Sequence, residues 1–252
     1  MFSPASQIHV FPTPEAMAAH VAEAFLHLAQ QSAIEQQPCF VALSGGSTPE
    51  RLYRELARRA AVKKPDWGWL HLFWGDERCV PPDNPESNFG VADRLFLKPT
   101  DFPRENIHRI RGEADPMAET VRYEKEIRRF VTIAGNGMPR FDWILLGMGA
   151  DGHTASLFPN SDTLQIIDKI CAGATHPQSG QQRITLTLPV INHARRITFL
   201  VTGANKSEMV YRILTENSIS EKYPASLVQP VDGELHWYLD DAAASLLKNV
   251  EY

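Results

Sequence analysis

Four short segments of this 252-residue chain set glycines beside side chains that can hold or move charge. In Ser44-Gly45-Gly46-Ser47-Thr48, two glycines let backbone N–H groups approach an anion, three hydroxyls can donate, and Pro49 follows where a helix can begin. That is the chemistry of a phosphate cradle, although a plain strand-to-helix turn capped by Thr48 would use the same residues. The segment itself is neither GxxxxGKS/T nor GxGxxG, so a nucleotide is not indicated there. Gly75-Asp76-Glu77-Arg78 offers a guanidinium that can pair bidentately with an oxyanion, with two carboxylates to orient it. A solvated surface charge cluster is the alternative reading of that triplet.

The third segment, residues 147–154 (GMGADGHT), carries the sharpest chemistry. A histidine among glycines can stand in a cleft and act as a general base, and Asp151 lies two residues from His153, where it can orient the ring. An Asx-type turn bearing an exposed histidine is again the plainer account. No HExxH and no Cys/His set accompanies the segment, so no metal is expected. In the fourth, Thr202-Gly203-Ala204-Asn205-Lys206, a lysine opens a helix against the unfavourable end of its dipole. A bound anion would compensate it, as would solvent.

These groups cooperate only if folding brings the segments together. Each follows a short apolar run, at 40–43, 70–74, 141–146 and 197–201, of the length and continuous apolarity that suit strands buried on both faces. Amphipathic helices are expected over 15–31, 49–59, 115–133 and 206–214, the third with Pro116 near its start and Val121, Ile127 and Val131 as apolar positions. Residues 234–239 alternate like an edge strand ahead of a helix over 240–247. The alternation of strands and helices predicts an α/β fold: an open, mostly parallel sheet flanked by helices, with a C-terminal edge strand and helix, over one domain spanning 1–252. Ligands bind such sheets beyond the carboxyl ends of the strands, so the four segments should meet at one crevice. The proline-rich stretch at 81–85 follows a strand end and reads as a functional loop.

Composition narrows the classes. A formal net charge of −5 argues against a general nucleic-acid binder, which needs a basic face to displace counterions. Three cysteines, Cys39, Cys79 and Cys171, are odd in number and far apart, which favours reduced thiols in a cytoplasmic protein over a disulfide framework. The first residues lack the basic and then apolar pattern of a secretory signal, and no apolar run approaches the roughly 20 residues needed to cross a bilayer.

Six segments then carry a resemblance: VALSGGSTPERLY at 41–53, LHLFWGDERCVPPDNPESNFGVA at 70–92, FDWILLGMGADGHTASLFP at 141–159, RITLTLPVIN at 183–192, FLVTGANKSE at 199–208 and PASLV at 224–228. In this order, over nearly the whole chain, they resemble the 6-phosphogluconolactonase family in its short cytosolic form. The resemblance implies a Rossmann-like fold shared with sugar-phosphate isomerases. It also implies hydrolysis of 6-phospho-D-glucono-1,5-lactone to 6-phosphogluconate in the oxidative pentose phosphate pathway, without metal or cofactor. His153 would be the base, with Asp151 beside it. Ser44, Gly45, Gly46, Ser47 and Thr48 would bind the phosphate with Arg78 and Lys206, and Asp76, Asn88 and Arg183 would support the site. The only partner implied is the phosphorylated sugar lactone; oligomeric state is not specified. Glu86, where many relatives are expected to carry Asp, departs from the pattern and bears on the geometry of its loop.

The implied reaction is attack on the lactone carbonyl by water deprotonated at His153, then collapse of the oxyanion with a proton delivered to the ring oxygen. Ser44 and Ser47 sit in no GxSxG elbow, which disfavours a serine nucleophile. The nearest alternative is glucosamine-6-phosphate deaminase, which has a DGH segment of its own, but here DGH continues as TASLFP. A sugar-phosphate sensor without chemistry is the third reading, opposed by the presence of both His153 and Asp151.

Overall fold

The computed structural model describes residues 6–133, 137–215 and 222–247. Six strands, β1 (Ser6–Phe11), β2 (Cys39–Leu43), β3 (Leu70–Trp74), β5 (Trp143–Leu146), β8 (Arg196–Val201) and β9 (Glu234–Asp240), form one sheet in the order β1-β9-β8-β5-β2-β3. Every neighbouring pair in it is parallel. A second sheet is antiparallel and holds β4 (Asp76–Arg78), β7 (Gln182–Leu186) and β6 (Cys171–Thr175) in the order β4-β7-β6. The helices are α1 (Pro14–Glu35), α2 (Ser47–Lys63), α3 (Asn88–Ala92), α4 (Pro116–Phe130), α5 (Leu188–Asn192) and α6 (Ser207–Thr215). From β2 the chain moves to β3 on one side and later to β5 on the other, so the winding reverses between β2 and β5. A crevice opens at such a reversal, beyond the strand ends.

Local chemistry explains the long helices. Thr13 accepts the Ala16 N–H at 3.1 Å, Pro14 opens α1, and Gln36 ends it in the left-handed region at φ 51°. Val21, Phe25 and Ala29 follow one another at four-residue spacing and are fully buried. Burying a side chain such as Phe25 stabilises the fold by roughly 1.5–3 kcal/mol. All five positions of β2 are buried, as its continuous apolarity predicts for a central parallel strand.

The α/β class and the four apolar strands stand as expected, and four details change. Strand β9 is interior, because β1 pairs outside it in parallel, so β1 is the edge on that side. Over 241–247 the backbone makes successive turns, with Ala244 N–H bonded to Asp240 O, Ser245 N–H to Ala242 O and Leu247 N–H to Ala244 O, and no α-helix forms. Helix α2 starts at Ser47, which puts Pro49 in its third position. Helix α4 stops at Phe130, where buried, β-branched Val131 turns extended, and Val121 lies on its exposed face. The second sheet was outside the sequence reading: β4 is three residues long and pairs with β7 more than a hundred positions away, while β6 and β7 form a short antiparallel pair.

Two tyrosines hold the strand ends that face the crevice. Tyr53 on α2 donates to Ser44 O at 2.6 Å, and Tyr123 on α4 bonds both Trp74 N and Trp74 O at 2.9 Å. Both rings are buried, so the ends of β2 and β3 are fixed from the core side.

At the far end of β3, His71 Nδ1 lies 3.0 Å from His108 Nε2, and His108 Nδ1 lies 2.8 Å from Glu126 Oε1. The chain is consistent with one protonation pattern: each neutral imidazole donates from Nδ1 toward the carboxylate. A proton on His108 Nε2 would face the His71 donor. Burial, and then the charge of His108, lower the His71 pKa to about 4, and burial lowers that of His108 despite Glu126. Because both folded values lie below the unfolded one, the unfolded chain binds more protons in acid. The contribution is therefore intact above about pH 6.5 and is lost as pH falls toward 4. Urea midpoints measured across this window should fall less steeply in His71→Gln than in the parent; equal slopes would remove His71 as the source.

Candidate active site

A cavity of about 250 Å³ lies where the four strand ends meet. Ser44 to Thr48 line it from β2, Asp76 and Arg78 from β4 just past β3, Gly147, Gly149 and His153 from β5, and Thr202 and Lys206 from β8. Asn88 and Arg183 complete the wall. Among the residues expected at the site, Asp151 alone does not line the cavity; it touches His153 from behind.

The cradle is built from backbone. Gly46 takes φ 104°, which favours glycine, and serves as N-cap of α2 without a side-chain cap bond. The first N–H groups of this 17-residue helix, those of Ser47 and Thr48, are thereby left open at the positive end of its dipole. Thr48 does not cap the helix: its hydroxyl lies 2.7 Å from Thr202 Oγ1 and ties the β2 end to the β8 end. Ser44 Oγ is buried and has no partner. Such an orphan costs free energy unless a ligand or water satisfies it. Lys206 sits at the start of α6, where burial lowers its pKa and the charge of Asp151 opposes the shift.

The histidine stands on a loop that glycines make possible. Nδ1 of His153 lies 2.6 Å from Asp151 Oδ1, which also accepts the His153 N–H at 3.2 Å. The Asx-type contact and the orientation of the ring thus coexist. The hydrogen bond from His153 holds the Asp151 carboxyl down at about 2, so it is an anion at neutral pH. An anionic acceptor fixes the proton on Nδ1 and leaves the Nε2 lone pair on a ring that lines the cavity. Gly149 leaves room for the pair, since a Cβ there would lie 2.2 Å from Nδ1 and 2.4 Å from Asp151 Oδ1. The Thr154 hydroxyl closes the loop onto Gly147 O at 2.8 Å.

The second sheet brings two guanidiniums to the opposite wall. Arg78 and Arg183 are paired in register on β4 and β7, and each has a buried Nε without a partner. Burial and then the charge of Arg78 lower the Arg183 pKa, as expected where two cations share a wall without an anion between them. Asp76 is buried and accepts from Ser156 Oγ at 2.7 Å, and Asn88 Nδ2 approaches it at 3.4 Å. Glu77 is not part of a solvated cluster and makes no direct contact with the Arg78 guanidinium; it is buried under α3 and accepts backbone N–H groups there. Thr202 and Ser156 had no assigned part in the sequence reading. Both lay inside quoted segments, but a lone hydroxyl has no spacing signal of its own.

An open helix N-terminus, an oriented histidine and two guanidiniums with partnerless Nε groups, at the switch point of a parallel sheet, are an arrangement with which an α/β enzyme can bind and process a small anion. The chain belongs to the family described as glucosamine-6-phosphate isomerases/6-phosphogluconolactonase, whose model matches residues 12–237. It is 42% identical over 237 residues to a 6-phosphogluconolactonase of Haemophilus influenzae, covering 94% of this chain and 98% of that one. It is 43% identical over 209 residues to the one of Synechocystis, covering 82% and 84%. The solved 6-phosphogluconolactonase of Trypanosoma brucei superposes with a TM-score of 0.85 at 28% identity, covering 98% of this chain and all of that one. A monomeric glucosamine-6-phosphate deaminase superposes at 0.80 with 23% identity over 95% of this chain and 99% of that one, which is a likeness of fold alone.

Proposed function

We propose that this chain hydrolyses 6-phospho-D-glucono-1,5-lactone to 6-phosphogluconate, the step its relatives are named for, in the cytoplasm and as one domain over 1–252. The observation that carries the reading is the 2.6 Å contact of His153 Nδ1 with Asp151 Oδ1, on the same cavity as an open helix N-terminus. Three free cysteines support a reducing compartment, and among the described residues no helix is long and apolar enough to cross a membrane.

His153 Nε2 takes a proton from water, whose oxygen forms a bond to the lactone carbonyl carbon. The carbonyl electrons move to oxygen, giving a tetrahedral oxyanion, and the imidazolium is stabilised by the Asp151 carboxylate. As the carbonyl reforms, the bond to the ring oxygen breaks and that oxygen takes the proton from Nε2. The product is the open acid, and His153 returns neutral. The phosphate rests on the Ser47 and Thr48 N–H groups and the Ser44 hydroxyl, with Lys206, Arg78 and Arg183 neutralising its charge. Asp76 and Asn88 support the wall beside it. Binding a remote phosphate orients the reacting carbon, which is how energy far from the bond being broken can speed the step.

Acid release from the phosphorylated lactone, corrected for spontaneous opening, tests the reaction. Ammonia release from glucosamine 6-phosphate is the competing outcome, and binding without either product would leave a sensor.

A further inference from the structure

The cavity residues Arg78 and Asn88 flank a loop, and the group that anchors both ends of that loop is not in the cavity. Glu77 is 1% exposed and faces the core side of the turn. Its Oε1 accepts the Arg78 N–H at 2.8 Å and the Asn88 N–H at 2.7 Å. Its Oε2 accepts the Phe89 N–H at 2.8 Å and the Ser87 hydroxyl at 3.1 Å. Ser87 Oγ in turn accepts the Gly90 N–H at 3.0 Å and caps α3. Four donors converge on one carboxylate, so the knot closes only around an acceptor at both oxygens. Burial raises the pKa of the Glu77 carboxyl, and the three backbone N–H groups offset only part of that shift.

What the knot positions is visible one residue on. Asn88 Nδ2 donates to Asp76 O at 2.9 Å. Its Oδ1 fills the space a Cβ on Gly45 would take, 1.7 Å from where that atom would stand. Asn88 is therefore wedged against the cradle, and Arg78, whose backbone the same carboxylate holds, reaches back across the loop to Glu86 O.

We propose that Glu77 is a positioning residue for phosphate recognition: from behind the wall it sets Asn88 against the cradle and Arg78 across from it, without touching substrate. The proposal rests on the phosphate site described above.

Glu77→Gln keeps the side-chain volume but turns an NH2 group toward two of the four donors. KM for the phosphorylated lactone should rise roughly 10-fold with kcat within about 3-fold, while kcat/KM for gluconolactone without phosphate keeps its parent value. A merely structural role would lower both substrates together. Ser87→Ala, which removes one donor and keeps the carboxylate, should move KM the same way by a smaller factor, and it decides the matter if Glu77→Gln does not fold. Parallel loss on both lactones, or no change on either, overturns the assignment. The parent enzyme separates the two layers of the argument: equal kcat/KM for the two lactones in the parent sinks the phosphate reading itself, whereas a parent preference followed by parallel loss sinks only Glu77.

Discussion

His153→Asn is expected to lower kcat for the phosphorylated lactone by roughly 10²- to 10⁴-fold, the usual contribution of a general base. Affinity for 6-phosphogluconate should stay near that of the parent, because in the proposed site the anion rests on the open α2 N-terminus and the cations lining the cavity, not on the ring. Asparagine can neither accept the proton from water nor return it to the ring oxygen. Asp151→Asn should cost less, since an amide oxygen can still accept from Nδ1 but carries no charge to stabilise the imidazolium. Direct titration of product binding together with single-turnover kinetics checks both statements. A folded variant that binds 6-phosphogluconate and hydrolyses at the parent rate would move the base elsewhere, with Asp76, buried on the same cavity, the next carboxylate to test.

Removing the phosphate from the substrate should have the second largest effect. Gluconolactone has no anion to satisfy the Ser44 hydroxyl, the open N–H groups of α2 or the partnerless Nε groups of Arg78 and Arg183. Its kcat/KM should fall by roughly 10²- to 10⁴-fold, which corresponds to two charge-assisted contacts of about 1.5–3 kcal/mol each. Lys206→Ala and Arg78→Ala should each reproduce a share of that loss on the phosphorylated lactone and change little on the other. The difference between substrates isolates the phosphate term, as a double-mutant cycle would. Unchanged kinetics in both variants would take these cations out of the site.

Legibility of the site depended on the range of each contact. His153 and Asp151 are two residues apart, and Ser44 to Thr48 are contiguous, so their chemistry could be read from local spacing. Arg183 is different: it reaches the cavity because β7 pairs with β4 in a register that sets it beside Arg78. Glu77 shows the limit in the other direction. In GDER it reads equally as a partner orienting Arg78 or as a solvated charge, and only the return of the chain at Ser87 to Phe89 makes it a buried acceptor of four donors.

The amino-acid sequence by itself determined β2, β3, β5, β8 and β9 and their order along the chain, the glycine-bearing segments after the first four of them, and the α/β class, because apolar runs and helix-opening residues act through neighbours within a few positions. Tertiary structure decided the rest. It placed β9 inside the sheet, since the edge position depends on where β1 pairs. It built the antiparallel sheet by pairing three-residue β4 with β7 from more than a hundred positions away. It also chose which charges face the cavity and which are buried behind it, a choice made by register and by the burial cost of each unpaired group, neither of which exists until distant segments meet.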